Sequence, residues 1–476
     1  MSRSSAIESD YLVVGAGALG MGFVDTLIQN SDAHVVMIDR RHGPGGHWLD
    51  SYPFVQLHQP SMNYGVNSTA LGDDQTETDG KDVGFYERAS GVEICRYYDE
   101  IMRYRLLASG RVRFFPMCDH LGGGRFRSRL TGFETGVSVR RSVVDATYMA
   151  SHVPATDPPP FEVSDMARCI PVGALTSVTE PPAGYVIIGG GKTAMDAVGW
   201  LLDQGTAAQD ITWIRPRESW ILNRSYFQPG GGVLTTFEGV VLHLEAVAEC
   251  DSIEQVFERL EDRQVMLRMD RSIRSSMLKG ATTSVGELNE LRRIENVIRL
   301  GHVERVDMDT ITLEHGSIPT SRHHLHIHCA SAGLSDNAPK PIFSDDTILL
   351  QPVTRASLSL SAGLIGLVEA SGRSTADKNR LCRPNAWFHT PFDWIRHLLN
   401  GMRTEMEWQD APDVVTWAEA SRLNLVKGLD QHPDKAAVAD LQSRFLTALF
   451  PALAKLDMFA SHATPAERAR MFQPVA

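Results

Sequence analysis

The chain has 476 residues, which is long for one domain and typical of two or three domains. A hydrophobic content of 43% and a charged content of 22% are ordinary for a globular protein, and the formal net charge of −12 argues against a general surface for nucleic acid or anionic membrane. The six cysteines never form a C-x-x-C pair, which predicts reduced thiols. No apolar run approaches the roughly 20 residues of a membrane span, so the sequence predicts a cytoplasmic protein.

The first predicted nucleotide site begins at YLVVGAGALGMG, where an apolar strand-like run leads into a glycine-rich turn and then a helical pattern. Gly15, Gly17 and Gly20 fit the spacing G-x-G-x-x-G in the strand–turn–helix context that this motif requires. The first glycine permits the tight turn, the second lets the backbone approach a pyrophosphate, and the third allows helix and strand to pack closely. The next strand, HVVMID, ends at Asp39, which Arg40 follows, where an acid would bond a ribose hydroxyl.

The stretch YVIIGGGKTAMDAVGW repeats this design, with the spacing G-x-G-x-x-A from Gly189 to Ala194. The N–H groups at the start of the helix that follows would face a phosphate. The next strand, ITWIRPR, ends in Arg215 and Arg217 instead of an acid. The residues of this turn that we predict to contact a nucleotide are Gly189, Gly191, Lys192 and Thr193.

The two strand ends carry opposite charge, and this difference predicts two different ligands. A carboxylate would repel a 2′-phosphate, whereas an arginine pairs with one, often through two parallel hydrogen bonds. The site that ends in the acid therefore favours a dinucleotide with a free ribose hydroxyl, and the site that ends in the arginines favours one with a 2′-phosphate. FAD and NADPH are the natural pair of this kind.

Three further features lie along the rest of the chain. The proline-rich stretch 151–161 predicts a connector into a second domain. Residues 250–300 have apolar side chains at helical spacing, which predicts a helical insertion that is a cap over the active site, a dimer element or simply a set of solvent-facing helices. The stretch HHLHIH, 323–328, predicts a strand with a packed histidine face and no metal, because alternate histidines on a straight strand converge poorly on one zinc ion.

These features together predict an α/β fold with two Rossmann-like dinucleotide-binding domains, the second inserted into the first. The C-terminal region is predicted to be helical and either to tie the domains together or to pair two subunits in a homodimer. The predicted boundaries are 1–165 and 306–385 for the FAD-binding domain, 166–305 for the NADPH-binding domain and 386–476 for the helical C-terminal region.

Three stretches resemble the class B flavin monooxygenases, which also contain two dinucleotide-binding domains. These stretches are the first glycine turn with its acid, the sequence GPGGHW, and GGGKTAMDA with the arginine-tipped strand. The resemblance implies that the outer domain holds FAD and that the inserted domain holds NADPH. It also implies an activity in which NADPH reduces FAD and a flavin 4a-peroxide then oxygenates a small-molecule substrate with molecular oxygen.

The resemblance further implies which residues surround the flavin. The family's G-G-x-W motif falls on residues 45–48, and the segment after it is expected to run past the flavin ring. The helix of the returning segment, 349–372, would direct its N-terminus at the pyrimidine side of the flavin, with Ser361 to Gly363 at that point. The implied cofactor contacts are Gly46, His47, Trp48, Gln56, Ser361 and Gly363, and the implied catalytic residues are His58, Gln59 and Asn63.

Two departures from the family pattern leave alternatives open. The family's F-x-G-x-x-x-H fingerprint has no counterpart in RCIPVGALTSVTEPPAG, and its A-T-G motif is replaced by ASAG at residues 330–333. One alternative is therefore an NADPH-dependent flavin reductase that passes electrons to an acceptor other than oxygen. Another is a sensor that binds the cofactors without catalysis. None of these readings predicts a nucleic-acid, membrane or metal partner.

Overall fold

The computed structural model describes residues 6–355 and 357–471. Its strands are β1 (Ile7–Val14), β2 (Val35–Ile38), β3 (Val112–Phe115), β4 (Cys118–Gly122), β5 (Arg125–Ser128), β6 (Glu134–Asp145), β7 (Ser151–His152), β8 (Glu162–Val163), β9 (Cys169–Pro171), β10 (Gly184–Ile188), β11 (Ile211–Ile214), β12 (Trp220–Asn223), β13 (Met266–Arg268), β14 (Thr282–Thr283), β15 (Val297–Ile298), β16 (Val303–Val306), β17 (Thr310–Leu313), β18 (Gly316–Pro319), β19 (His324–His328), β20 (Gly333–Leu334) and β21 (Thr347–Leu349). Its α-helices are α1 (Ala18–Asn30), α2 (Gly91–Ile101), α3 (Lys192–Asp203), α4 (Val233–Glu249), α5 (Ile253–Asp262), α6 (Val285–Leu291), α7 (Leu358–Ala370), α8 (Thr375–Leu381), α9 (Pro391–Met406), α10 (Pro412–Ala420), α11 (Lys435–Ser461) and α12 (Pro465–Ala469).

The first sheet is built around β1, an apolar strand that lies between two parallel neighbours. The strand order is β3-β2-β1-β6, with β21 beside the end of β6 and the antiparallel hairpin β4–β5 beside its beginning. Val14 pairs with Ile38, so the residues that follow β1 and β2 meet at one edge of the sheet. Helices α1 and α7 pack closely together. Their backbones are so near that a Cβ at Gly366 would lie only 2.6 Å from the carbonyl oxygen of Phe23.

The second sheet repeats this plan with five parallel strands in the order β15-β11-β10-β19-β9. Ile188 at the end of β10 pairs with Ile214 at the end of β11, in the same way as the ends of β1 and β2. Helix α3 packs Val198 and Leu201 into a core that also holds the buried ring of Trp213. The predicted fold class, α/β with two Rossmann-like domains, is therefore confirmed.

The strands from β16 to β19 belong with the second domain, which corrects the predicted boundary at residue 306. Strand β19 lies beside β10 in the second sheet, and β16 pairs with β17 and with β8 in a small four-stranded sheet. The chain rejoins the first sheet only at β21, which pairs with β6. The alternating pattern of these strands predicts that they are strands, but it carries no information on which distant strand lies beside them.

The predicted helical insertion, residues 250–300, contains strands as well as helices, which is a second correction. Helices α5 and α6 both begin after a serine whose side chain accepts a hydrogen bond from the helix backbone, at Ser252 and Ser284. Strands β13 and β14 flank β12 in a three-stranded sheet. Two- and three-residue strands are too short to show the period of two that identifies a strand in a sequence.

The described part of the predicted C-terminal region, residues 386–471, contains α9 to α12 and no strand. Helix α11 packs against α4 and α9 around the buried side chains of Leu399, Ala452 and Leu456. Within the described residues one helix, Gly230–Glu249, is long and apolar enough to cross a membrane by length and composition, although the sequence reading found no such run. About half of its most apolar window, 56%, is buried, and its contacts with α11 and α5 account for the apolar composition.

The histidine face of β19 is packed inside the second domain. The ring of His326 lies between the carbonyl oxygen of Arg168, 3.0 Å from Nδ1, and the hydroxyl of Thr320, 2.8 Å from Nε2. The ring of His328 packs edge-on against Phe161 with their centroids 5.6 Å apart. Across residues 6–355 and 357–471, no group of three His, Cys, Asp or Glu side chains is placed to hold a metal ion.

Candidate nucleotide sites and the interface between them

The first glycine turn forms a cradle, which we call the first cradle, at the edge of the first sheet. Gly15 has a φ of +104°, which favours glycine, and its N–H donates to the carbonyl of Ile38 at 2.8 Å. A Cβ at Gly20 would overlap the carbonyl oxygen of Gly15, so only glycine permits this packing of α1 on β1. Helix α1 begins after Gly17 with no side-chain cap, which leaves its first N–H groups free for an anion.

Asp39 lies at this edge immediately after β2 and is buried. One carboxylate oxygen accepts a hydrogen bond from the N–H of Ala16 at 2.7 Å, and the other accepts from the N–H of Arg41 at 2.8 Å. Each oxygen has a second lone pair, so the carboxylate can still accept hydrogen bonds from ribose hydroxyls. The neighbouring Arg40 is exposed, and its predicted contact with the cofactor stays a prediction.

The loop that carries the G-G-x-W sequence folds onto the first cradle. The N–H of Gly45 donates to the carbonyl of Ala16 at 2.9 Å, and a Cβ at Gly46, where φ is +62°, would lie 3.0 Å from the Cα of Gly17. The indole N–H of Trp48 donates to the hydroxyl of Tyr64 at 2.7 Å, which fixes the ring. The backbones of these two glycines therefore lie in close contact, which leaves little room for a side chain on Gly46.

His47 stacks beside Trp48, with the two ring centroids 4.9 Å apart. Burial, and then the nearby charge of Arg41, lowers the pKa of His47 to about 4. The ring is therefore neutral near neutral pH, and it offers one N–H donor and one acceptor beside the first cradle.

The three residues predicted to be catalytic lie on the segment that follows this loop. His58 and Gln59 are half-buried, whereas Asn63 is buried and both polar atoms of its side-chain amide lack a hydrogen-bond partner. Burying an amide without a partner costs free energy, so an amide in this state marks a position where a polar ligand would fit. Gln56 is exposed and pairs with Ser90 in an isolated bridge, and its predicted contact with the cofactor stays a prediction.

The second glycine turn, which we call the second cradle, reproduces the backbone of the first. Gly189 has a φ of +139° and donates its N–H to the carbonyl of Ile214 at 3.0 Å. Gly191 caps α3 without any side-chain hydrogen bond, and the position of its absent Cβ opens on free space. Ala194 is fully buried against the sheet, as expected of the small residue at the end of the motif.

Lys192 and Thr193 open helix α3, and Lys192 is already partnered within the chain. Its ammonium forms an ion pair with Asp196, one turn along the same helix. The other oxygen of Asp196 accepts a hydrogen bond from the hydroxyl of Tyr52 at 2.6 Å, and Tyr52 belongs to the segment after the first cradle. Burial and this carboxylate raise the pKa of Tyr52 well above 10, so Tyr52 stays a donor. A lysine–aspartate–tyrosine chain therefore links the two cradles.

Arg215 and Arg217 lie in different environments, although the sequence treats them alike. Arg215 is buried, with its guanidinium 4.9 Å from the centroid of the Trp213 ring and 3.2 Å from a carboxylate oxygen of Glu218. Its Nε is buried and has no partner. Arg217 is exposed, and its carbonyl oxygen faces Gly190, where a Cβ would approach it to 3.1 Å. Of the two, Arg215 occupies the position directly after the strand.

The returning helix α7 begins three residues before Ser361, earlier than the predicted start. The hydroxyl of Ser361 is buried and accepts hydrogen bonds from the N–H groups of residues 353 and 354, at 3.0 and 3.1 Å, so it fixes the turn before the helix. Gly363 allows α7 to pack, since a Cβ there would lie 3.0 Å from the ring of Trp417. Their contact with a flavin stays a prediction.

Four charged side chains, two of them buried and two half-buried, form a group across the interface between the two domains, which we call the Arg224 cluster. Arg224 is fully buried and lies 2.7 Å from carboxylate oxygens of both Asp82 and Glu287. Arg88 bonds the same two carboxylates at 2.6 and 3.1 Å. The Nε of Arg224 also donates to the carbonyl of His58 at 2.9 Å. The cluster therefore holds the backbone of a predicted catalytic residue against the second domain.

The arginines of the cluster keep its glutamate ionised, as the pKa of Glu287 indicates. Burial raises the pKa of Glu287, but the positive charges of Arg224, Lys192 and Arg88 outweigh it and hold the pKa at about 2. The sequence reading missed this cluster and the Asp196 pair. The aspartate stands four residues after Lys192 on a predicted helix, which is a readable signal, whereas nothing local to Arg224 points to its partners.

We expect the protein to lose stability as the pH falls from 6.5 towards 4, because the half-buried His58 and the buried His243 stay neutral in the folded chain. Burial, and then Lys192, lowers the pKa of His58 to about 4, and burial lowers that of His243 to about 4. In this window the unfolded chain binds more protons than the folded chain, so acidification lowers the free energy of unfolding. Thermal midpoints measured across the window should fall less steeply in His58→Gln. If the thermal midpoints of the two proteins fell equally steeply with pH, the hypothesis that His58 is neutral in the folded chain would be contradicted.

In fold, this chain is similar to solved structures of flavin monooxygenases. The polycyclic ketone monooxygenase of the fungus Thermothelomyces thermophila is 12% identical, with 94% of this chain and 90% of that chain covered and a TM-score of 0.48. A steroid monooxygenase in its oxidized form bound to NADP is 14% identical, with coverages of 85% and 98% and a TM-score of 0.47.

The chain belongs to the same family as the mycobacterial protein named Uncharacterized protein Rv2000, from Mycobacterium tuberculosis. The two sequences are 42% identical over 427 residues, which is 90% of this chain and 79% of the relative. Uncharacterized protein Mb2023 of Mycobacterium bovis matches to the same extent. No protein-family model matches the chain.

Proposed function

We propose that this chain is a cytoplasmic oxidoreductase that binds FAD in the first cradle and NADPH in the second and oxygenates a small-molecule substrate with molecular oxygen. The observation that carries the proposal is the pair of matched strand ends: Asp39 directly follows β2, and Arg215 directly follows β11. A carboxylate accepts hydrogen bonds from ribose hydroxyls, whereas a guanidinium binds phosphate. One dinucleotide with a free 2′-hydroxyl and one with a 2′-phosphate therefore fit the two ends.

Three features of the first cradle support FAD as its ligand. The uncapped start of α1, which the chain reaches through Gly17 without a side chain, fits a pyrophosphate. The buried amide of Asn63, which has no partner, fits the polar edge of a flavin ring. Trp48 is fixed by Tyr64 and supplies a flat apolar surface beside that position.

The second cradle supports NADPH by the same kind of argument. The open space at Gly191 and the uncapped start of α3 fit the second pyrophosphate. The unpartnered Nε of Arg215 is a donor that a 2′-phosphate would satisfy. Lys192 already neutralises Asp196, so it would add less positive charge to the site than a free lysine.

FAD, when bound, supplies a hydride acceptor and a site of oxygen activation. The chain's own residues position the reacting groups: the Arg224 cluster fixes the backbone at His58, and the Tyr52–Asp196 hydrogen bond ties this segment to the second cradle. Because burial lowers the pKa of His58 to about 4, its neutral ring offers one donor and one acceptor. We assign the polar edge of the flavin to Asn63 and the orientation of the substrate beside it to His58 and Gln59.

The test uses the purified full-length chain loaded with FAD. We expect NADPH to bleach the visible absorbance of the flavin without oxygen, and we expect added oxygen to restore it. Mass spectrometry against a panel of amines, ketones and sulphides should then find a product carrying one atom from labelled oxygen gas. A control without substrate measures uncoupled NADPH consumption. A colourless chain that takes up no added FAD would refute the whole proposal.

An alternative activity is that of a reductase which transfers electrons to an acceptor other than oxygen. The missing F-x-G-x-x-x-H and A-T-G patterns favour it, because these are departures from the oxygenating family. The sequence contains no C-x-x-C pair, which argues against a disulfide relay of the thioredoxin-reductase type. Rapid NADPH oxidation with an artificial acceptor, together with no oxygenated product from any substrate in the panel, would favour the reductase over the oxygenase.

We expect the double substitution Arg215→Ala with Arg217→Ala to raise the Michaelis constant for NADPH by roughly tenfold to a hundredfold, since charge-assisted hydrogen bonds contribute about 1.5–3 kcal/mol. The constant for NADH should change little, because NADH lacks the 2′-phosphate. Glu218 keeps Arg299 as a partner at 2.8 Å, so the fold should tolerate the loss. Equal effects on the two dinucleotides would reject the assignment of these arginines to the phosphate.

A further inference from the structure

A cavity of about 510 Å³, which we call the arginine pocket, lies beside the end of β11 in the second sheet. Small-molecule sites usually fall between about 300 and 1,000 Å³, so the pocket is large enough for a nucleoside with a phosphate. Its lining residues are Arg215, Met269, Asp270, Arg271, Leu291, Arg292, Ile294, Glu295, Val297 and Arg299.

Most of this lining comes from the insertion and not from the second sheet. Residues 215, 297 and 299 follow or belong to β11 and β15, while the other seven lie between residues 269 and 295. Arg292 ties the inserted wall together, because its guanidinium donates to the carbonyl oxygens of Met269 and Arg268 at 3.0 and 2.7 Å. The insertion is thus braced as one side of the pocket.

The pocket combines apolar surface with guanidinium groups that retain free hydrogen-bonding capacity. Met269, Leu291 and Ile294 are buried apolar side chains of the lining, and they suit the faces of a purine ring. The buried Nε of Arg215 has no partner. Arg271 is largely exposed, and its closest carboxylate contact is 3.4 Å to Glu261, which is a loose pair.

Two carboxylates also line the pocket, and one of them is already neutralised. Asp270 forms an ion pair with Arg299 at 2.9 Å, and Arg299 bonds Glu218 at 2.8 Å. The lining contains four arginines against Asp270 and Glu295. Arg215 and Arg299 also pair with Glu218, so Arg271 and Arg292 supply the excess of positive charge. An excess of guanidinium groups with unpaired donors indicates a phosphate-bearing ligand.

We propose that the insertion completes a pocket for the adenosine 2′-phosphate end of NADPH, with Arg271 joining Arg215 as a ligand of the phosphate. This assignment rests on the proposed use of NADPH by the second cradle. In parallel sheets, ligands bind outside the carboxyl ends of the strands, which is where β11 and β15 deliver Arg215 and Arg299. The insertion is then a specificity element for the cofactor, in place of a cap over the substrate or a dimer element.

The experiment compares two single substitutions in the full-length, FAD-loaded chain. Arg271→Gln removes a guanidinium from the lining of the pocket. Arg274→Gln is the control, because the exposed Arg274 does not line the pocket and pairs with Glu254 at 3.1 Å. The probes are adenosine 2′,5′-bisphosphate and adenosine 5′-monophosphate, with affinities measured by titration calorimetry at two salt concentrations.

We expect Arg271→Gln to weaken the bisphosphate about tenfold and to reduce the salt dependence of its binding, since one charge-assisted hydrogen bond is lost. The monophosphate should bind both variants and the unaltered chain alike, and Arg274→Gln should match the unaltered chain with both probes. Equal binding of the bisphosphate to Arg271→Gln and Arg274→Gln would overturn the assignment. So would an equal loss with the two probes, because that result would indicate general damage to the site.

The outcome is separable from that of the proposed function. If only Arg271→Gln weakens the bisphosphate, and NADPH does not reduce the bound flavin, the phosphate pocket is supported and the proposed oxidoreductase activity is rejected. Reduction of the flavin by NADPH with no change in Arg271→Gln would support the oxidoreductase and reject the pocket.

Discussion

Gly17→Val should produce a folded chain that retains no flavin. The backbone at this glycine has an ordinary negative φ of −82°, and the nearest atom to its absent Cβ would be the Cα of Gly46, at 3.4 Å, an ordinary contact distance. Valine therefore fits the backbone, but its methyl groups would stand at the start of α1, in the approach that we assign to the pyrophosphate. We expect the ratio of bound flavin to protein to fall at least about tenfold, because a lost pyrophosphate site removes several charge-assisted hydrogen bonds.

Gly43→Val is the matched control, since this glycine lies in the loop that follows β2 and folds onto the first cradle, and a Cβ there meets nothing within 4 Å. The control should purify yellow with the flavin content of the unaltered chain. Far-ultraviolet circular dichroism and thermal midpoints should show both variants folded. A fully loaded Gly17→Val protein would mean that the dinucleotide lies elsewhere.

Both cradles could be predicted from the sequence because each is a local device. A strand, a glycine turn, a helix and a second strand lie within about thirty residues, and their roles follow from spacing alone. The structure brings Gly15 and Asp39 to one edge, and it brings Gly189 and Arg215 to the equivalent edge of the second sheet. Whether an acidic or a basic residue follows the second strand of each cradle can likewise be seen directly in the sequence.

Features that depend on distant partners could not be predicted in this way. The boundary at residue 306 was wrong because β19 reads as a strand in either sheet, and only its pairing with β10 assigns it. The sequence predicts a helical insertion because strands as short as β13 and β14 cannot show the two-residue alternation that identifies a strand. The unequal burial of Arg215 and Arg217 follows from Trp213 and Glu218, whose packing no spacing rule specifies.

The Arg224 cluster is the clearest case, since its four charges come from three separate parts of the chain. Arg224→Met should destabilise the protein by about 3–5 kcal/mol, because it leaves Asp82 and Glu287 buried with Arg88 as their one remaining partner in the cluster. The carbonyl of His58 loses its donor at the same time. We therefore expect a lower thermal midpoint and slower reduction of the flavin by NADPH.

The double variant Arg224→Met with Glu287→Gln separates these two effects. It removes one charge of each sign and leaves Arg88 paired with Asp82 at 2.6 Å, while glutamine can keep the cap that Glu287 provides at the start of α6. Replacing a buried pair together is often close to neutral, so stability should largely return. The reduction rate should stay low, because methionine cannot donate to His58. Recovery of the rate along with the stability would show that the cluster acts on the fold alone and does not position the segment between the two cradles.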